Sequence, residues 1–218
     1  MSKKDNNTSK SFTSWTQVEV EKQFNLNLEL THPVLNEWLE AEEPITDFEN
    51  QALDRLRQKA FVYVRAWNET ELTAKLISAI FDLVDFDQIK YSLFLERPIS
   101  GIINDIAIHG KADMIIATGR DIPESPYYFL QEFKKEKANS GDPVAQMLLA
   151  MLLAQQQNDN AKPLYGSYIN GRMWFFSVLV GNTYSLSDSY IVTHMDDLQQ
   201  ILRMLKRLKK KIEESLKI

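Results

Sequence analysis

An α/β fold, with a central mixed β-sheet flanked by helices, is predicted by three features of this 218-residue sequence. The first third carries apolar residues at helical spacing. From Tyr91 onward β-branched and aromatic residues dominate and turn residues break them at short intervals. Helix-like segments then return between the strand-like ones. Helices interleaved with strands bury their apolar stripes on a sheet, and this order of periods fits a mixed sheet better than a bundle or a sandwich.

Taken in order, Met1 to Ser14 is rich in Ser, Asn and Lys and reads as a loose tail, leaving 15–218 as a single domain. Phe24-Asn25-Leu26-Asn27-Leu28-Glu29-Leu30 alternates apolar and polar residues, a period that fits a strand and that a short helix also imitates. Thr46 with Glu49 is a capping-box signature for a helix to about Ala66, with Phe48, Ala52, Leu56, Ala60 and Tyr63 as its apolar stripe. Asn68 with Glu71 opens the next helix, through Leu72, Leu76, Ile77, Ile80 and Phe81, so the helical part covers about 15–85.

Strands are expected at 91–97, 102–108, 111–118 and 127–134, with Gly110 and the Arg120–Pro126 stretch as turns. Asp142-Pro143 reads as an N-cap and an N1 proline, opening a helix to Gln157 with an Ala/Leu/Met face. Further strands at 163–169, 172–180 and 184–192 are separated by Asn170-Gly171 and Gly181-Asn182, and Asn-Gly between apolar runs is a strong hairpin signal. A last helix, 195–217, sets Leu198, Ile201, Leu202, Leu205, Leu208 and Ile212 on one face.

Composition excludes several function classes. The absence of Cys removes disulfide frameworks, thiolate zinc sites and Cys nucleophiles, and it fits a reducing cytoplasm. The N-terminus lacks the apolar region of a secretory signal, and no apolar run approaches the ~18 residues needed to span a bilayer. His32, His109 and His194 are scattered without an i, i+4 pair, which argues against a His-based metal site; His109 reads as a loop histidine near the Asp113 strand. Gly110-Lys111 is followed by Ala112, so no phosphate-cradling P-loop is present. The net charge of −5 argues against a coating of phosphate-binding charge but allows a local basic face. Arg203, Lys206, Arg207, Lys209, Lys210 and Lys211 lie opposite the apolar stripe of the last helix, a face that suits either a nucleic-acid backbone or solvent.

The chemistry concentrates on one strand. Glu132-Phe133-Lys134 is the one Glu-x-Lys of the chain, and residues i and i+2 of a strand share a side, so a carboxylate and an ammonium project together. Asp113 lies in its own strand, Lys111 to Ala117; if the two strands are neighbours, both carboxylates and Lys134 meet at one sheet edge. Two carboxylates and a backbone carbonyl, that of Phe133, are the hard oxygen ligands that Mg²⁺ or Mn²⁺ prefers. Lys135 and Lys137 follow the motif and would lie near a bound phosphate. Charged residues at i, i+2 also occur as plain solvated charge on edge strands.

Asp113, then Glu132-Phe133-Lys134, followed by a helix bearing Gln146, resembles the PD-(D/E)xK nuclease superfamily. Upstream, Asn68-Glu69-Thr70-Glu71-Leu72-Thr73-Ala74-Lys75-Leu76-Ile77 is similar to the segment that opens the nuclease domain of type I restriction enzyme R subunits, and the likeness spans roughly residues 60–180. The resemblance implies a restriction-endonuclease-like core over about 68–192 and a divalent-metal-dependent nuclease. Asp113, Glu132 and Glu69 would be its metal-binding acids, Lys134 would serve the attacking water, and Gln146 would come from the following helix. Two departures are visible: Ala112 stands where the family name has proline, and Ala150 stands where related nucleases carry the Tyr of a Gln-x-x-x-Tyr motif. The implied partner is nucleic acid, DNA before RNA, with a homodimer or a partner subunit as the assembly. The alternative is a nuclease-fold module with weak or no catalysis that binds nucleic acid or protein.

Overall fold

The computed structural model describes residues 9–136, 141–158 and 162–217. Its elements are β1 (Lys10–Ser11), α1 (Gln17–Phe24), β2 (Asn27–Glu29), α2 (Pro33–Leu39), α3 (Asp47–Tyr63), α4 (Glu69–Leu72), α5 (Ser78–Asp82), β3 (Tyr91–Ile103), β4 (Ile106–Thr118), β5 (Glu124–Lys134), α6 (Pro143–Asn158), β6 (Leu164–Asn170), β7 (Met173–Val180), β8 (Thr183–Leu186), β9 (Tyr190–Ile191) and α7 (Met195–Leu216). The strands join in one mixed sheet. β3, β4 and β5 form an antiparallel meander; the α6 crossover makes β6 parallel to β5; β7 and β8 continue antiparallel, and β2 lies parallel to β8.

One sheet face is covered by α2 to α5 and α7, and its core centres on Trp38. That indole meets Tyr165, Phe176 and Phe129 edge-on, with ring centroids 4.8, 5.3 and 6.3 Å away, and donates from Nε1 to the Met204 carbonyl at 2.8 Å. The other face is covered by α1 and α6. Every residue from Val144 to Ala154 of α6 is buried, which is why that helix is apolar all round rather than amphipathic. Asp142 starts it as expected, with Oδ1 accepting from the Val144 and Ala145 amides at 3.0 and 3.1 Å.

Both predicted capping boxes are present, Thr46 with Glu49 and Asn68 with Glu71. The second helix is not uniform, because a π-helical stretch, Thr73–Ile77, joins α4 to α5. The predicted stripe of α3 needs correction: Phe48 and Tyr63 are exposed, and the buried line is Leu53, Leu56, Ala60 and then Val64. Spacings of three and four residues draw two overlapping stripes on this helix, and the sheet selects the one that continues into Val64 and Trp67.

Two further expectations fail for one reason. Gly110 is not a turn; it lies inside β4 opposite Ile99, and the reversal falls at Asn104 and Asp105, whose φ of 49° and 64° is the left-handed backbone such hairpin turns use. The chain before Trp15 is not all tail, since β1 pairs in parallel with β4 and Phe12 is 2% exposed. A Cβ built on Gly110 would be 2.1 Å from Cδ2 of the Phe12 ring, so the glycine serves close approach rather than chain reversal.

Gly110→Ala is therefore expected to expel Phe12 and release β1. The loss of one buried aromatic corresponds to about 2 kcal/mol. Urea unfolding should show that loss, and limited proteolysis should show faster cleavage before Trp15.

Candidate functional site

The carboxylates meet where the β4–β5 ladder ends. Its last pair near this end is Met114 with Gln131, and one step further in the same register Asp113 stands across from Glu132. Beyond that pair a side chain replaces the backbone partner, because the Phe133 N–H donates to Asp113 Oδ2 at 2.8 Å. Glu132 and Lys134 share a side of β5 as the strand period requires, and Lys134 Nζ donates to Glu132 Oε1 at 2.6 Å. The Lys134 carbonyl accepts from Gly171 N–H at 2.9 Å, toward β6. Successive residues of a strand address opposite neighbours, so the Phe133 amide and carbonyl both turn toward β4, on the side of the Asp113 carboxylate.

This is an acidic pair in poor contact with water. Glu132 is 3% exposed and the Lys134 side chain 17%. Burial first, and the Asp113 charge second, push the Glu132 carboxyl up to about 8 against the pull of Lys134. Asp113 is also raised, by burial and by the charge of Glu69, although the Phe133 amide and Lys134 favour its ionised form. Burial alone would lower Lys134, but Glu132, Asp113 and Glu69 outweigh it and hold the ammonium charged.

The other predicted site residues border the pair. Glu69 opens α4 with its side chain exposed; its charge reaches both Asp113 and Lys134. Among the described residues no three His, Asp or Glu side chains group closely enough to hold one ion. Gln146, 5% exposed in the first turn of α6, gives its Nε2 to the Asp142 carbonyl at 3.4 Å. Gly141, at φ 81°, fits between it and the lysine, since a Cβ there would be 2.7 Å from Gln146 Nε2 and 4.0 Å from Lys134 Cε. One acid has no signal in the sequence: Glu96 of β3 lies across from Asp113 between the Leu95–Met114 and Arg97–Ala112 pairs, with φ 52° and an ion pair to Lys111 at 2.8 Å. Register alone puts it there, which no local motif announces.

The basic face of α7 is corrected by its contacts. Lys206 pairs with Glu49, Arg207 and Lys210 with Glu43, and Lys211 with Glu37, while Lys209 donates to the Val84 and Asp85 carbonyls and Arg203 to Gln200. Lys206, Arg207, Lys210 and Lys211 thus tie α7 to α2, α3 and the chain between them, Lys209 ties it to the segment after α5, and Arg203 bonds within α7. His109 is likewise no loop residue: it sits within β4 beside β1, with Ser9 Oγ 2.7 Å from its Nδ1. Lys135 is exposed next to the motif, and Lys137 lies outside the described residues. Among the described residues no helix is long and apolar enough to cross a membrane. Comparison with protein-family models and with curated proteins found no match.

The donor set fits a small divalent cation. One buried and one half-buried carboxyl stand beside an ammonium, a cation would favour the ionised form of both acids, and Mg²⁺ takes one or two carboxylates and completes its shell with water and other oxygens. Asp113, Glu132 and the Phe133 carbonyl would hold it.

Asp113→Asn keeps an acceptor for the Phe133 amide and removes one of two facing charges. Both carboxyls are raised in the fold, so the wild type is relatively most stable below the ordinary aspartate value of 3.8, where they are protonated in folded and unfolded chains alike, and loses stability as pH rises from there toward about 8. The variant is expected to match the wild type in acid and to exceed it above pH 8. A gain of about 1 kcal/mol would raise Tm by about 2–4 °C in calorimetric scans across that range.

Proposed function

We propose that this protein is a divalent-metal-dependent nuclease that hydrolyses nucleic-acid phosphodiester bonds, with DNA as the first polymer to test, acting in restriction, defence or repair in the cytoplasm. The observation that carries the reading is the facing pair Asp113 and Glu132 with Lys134 bonded to one of them, at the end of two central strands. A fold gains nothing from burying like charges opposite each other, and such strain is concentrated where chemistry needs it. The mixed sheet flanked by helices is the class that the PD-(D/E)xK resemblance implies.

When bound, Mg²⁺ or Mn²⁺ supplies charge at the phosphoryl group and an acidified water. The chain's own residues do the rest. Asp113, fixed by the Phe133 amide, and Glu132, fixed by Lys134, hold their carboxylates at set positions at the sheet end. Lys134 stays protonated, so its part is to donate a hydrogen bond to the attacking water or to a phosphoryl oxygen rather than to accept a proton. Glu69 adds negative field from α4, and Gln146 walls the site beside Lys134. A homodimer or a partner subunit would supply a second site for cutting two strands.

Asp113→Ala and Glu132→Ala are each expected to lower cleavage of duplex DNA by about 10²–10³-fold with the circular dichroism spectrum unchanged. Mg²⁺ binding by calorimetry should disappear in both. For the wild type it should release protons at pH 7 and strengthen up to about pH 8, because Glu132 must ionise first. Cleavage that survives both substitutions sinks the assignment. Metal binding without cleavage, on DNA and RNA alike, leaves the binding-module alternative.

A further inference from the structure

Two arginines from separate elements converge on Glu136, and Lys135 shares a cleft with one of them. Arg65 follows α3, Lys135 follows β5, and Arg172 belongs to the β6–β7 turn, whose Gly171 amide is bonded to the Lys134 carbonyl. Arg65 and Lys135 line a cleft of about 200 Å³ with Ala66, Trp67, Asn68 and Glu136. One wall is therefore a neighbour of Glu69 in sequence and the other a neighbour of Lys134.

Glu136 stands between the arginines and satisfies them poorly. Its Oε1 is 3.4 Å from Arg65 Nε and 3.6 Å from Arg172 Nη2, and its Oε2 is buried without a hydrogen-bond partner. Charge-assisted pairs close to about 2.7–2.9 Å and engage both oxygens when a guanidinium binds a carboxylate well. Among the described residues no other acidic side chain lies within ion-pair distance of either arginine, and Arg65 is 64% exposed. The contrast is with α7, whose lysines and Arg207 are bound to their own carboxylates and carbonyls.

We propose that Arg65, Lys135 and Arg172 form a phosphate-binding rim for the nucleic-acid backbone next to the scissile bond, and that Glu136 occupies the place of a phosphate until substrate displaces it. The inference rests on the reading of a phosphodiester substrate. A tetrahedral phosphate offers acceptors to both guanidiniums at once, where Glu136 offers one oxygen at the limit of reach.

The test is fluorescence anisotropy with a labelled DNA duplex of about 20 base pairs and a single-stranded RNA of that length, in EDTA so that nothing is cut, over a series of salt concentrations. Arg65→Ala/Arg172→Ala should weaken binding and reduce the slope of log affinity against log salt by about 2, or about 1 for each phosphate that no longer meets an arginine. Arg65→Lys/Arg172→Lys keeps the charge and should keep most of that slope, which separates the removal of a phosphate partner from damage to the fold. Glu136→Gln should tighten binding by about threefold or more at low salt, because the competing charge is gone. A clasp that merely holds the loop predicts the other sign, a lower Tm with no gain in affinity. Wild-type binding that none of these variants changes overturns the rim and leaves the nuclease reading standing on its cleavage assay. No binding of either polymer by the wild type overturns both.

Discussion

Two carboxyl groups face each other across the end of the β4–β5 ladder, and much of the surrounding structure bears on how that arrangement survives. Like charges directly opposite on neighbouring strands destabilise a sheet. Here the repulsion is met locally by two bonds, Phe133 N–H to Asp113 and Lys134 to Glu132, and by proton uptake that burial favours. It is met globally by packing that does not depend on the site. α6 is buried throughout the stretch from Val144 to Ala154 on one face, and the Trp38 cluster fills the other. A strained sheet end can persist only because both layers over-determine where β4 and β5 lie.

Topology explains why these side chains meet. The β3–β4–β5 meander makes the Asp113 and Glu132 strands neighbours, and the α6 crossover that sets β6 parallel to β5 returns its first turn, with Gln146, to the end of β5. α4 approaches from the opposite layer and brings Glu69 into electrostatic range. The sheet end is thus assembled from three successive elements, β4, β5 and α6, and from the more distant α4, and no one of them creates it alone.

The charges of this protein divide by role. On α7 they work as internal fasteners: Glu43, 5% exposed, accepts from both Arg207 and Lys210, and Glu49 combines its cap of α3 with a bond to Lys206. Pairs of this kind add orientation more than stability, since each buried carboxylate must first give up its water. Around Glu136 the charges are loosely matched instead, with long contacts and an orphaned oxygen. The first arrangement suits a permanent joint, and the second suits a surface awaiting a better anion.

What the sequence determined by itself is what local geometry encodes. The capping boxes at Thr46 and Asn68, the Asp142 N-cap and the side-by-side projection of Glu132 and Lys134 each depend on a few adjacent residues and are found as read, and the hairpin expected at Asn170-Gly171 is present with its turn one residue later, at Gly171-Arg172. What only the tertiary structure decided are pairings between distant segments: that Asp113 faces Glu132, that Glu96 lies on its other side, that Phe12 claims the space of a side chain at Gly110, and that the basic residues of α7 already have partners. The reason is physical. A turn, a cap or a strand period is set by backbone bonds among neighbours, whereas register and ion pairing follow from which surfaces pack together, and a residue's own neighbours in sequence hold no record of that.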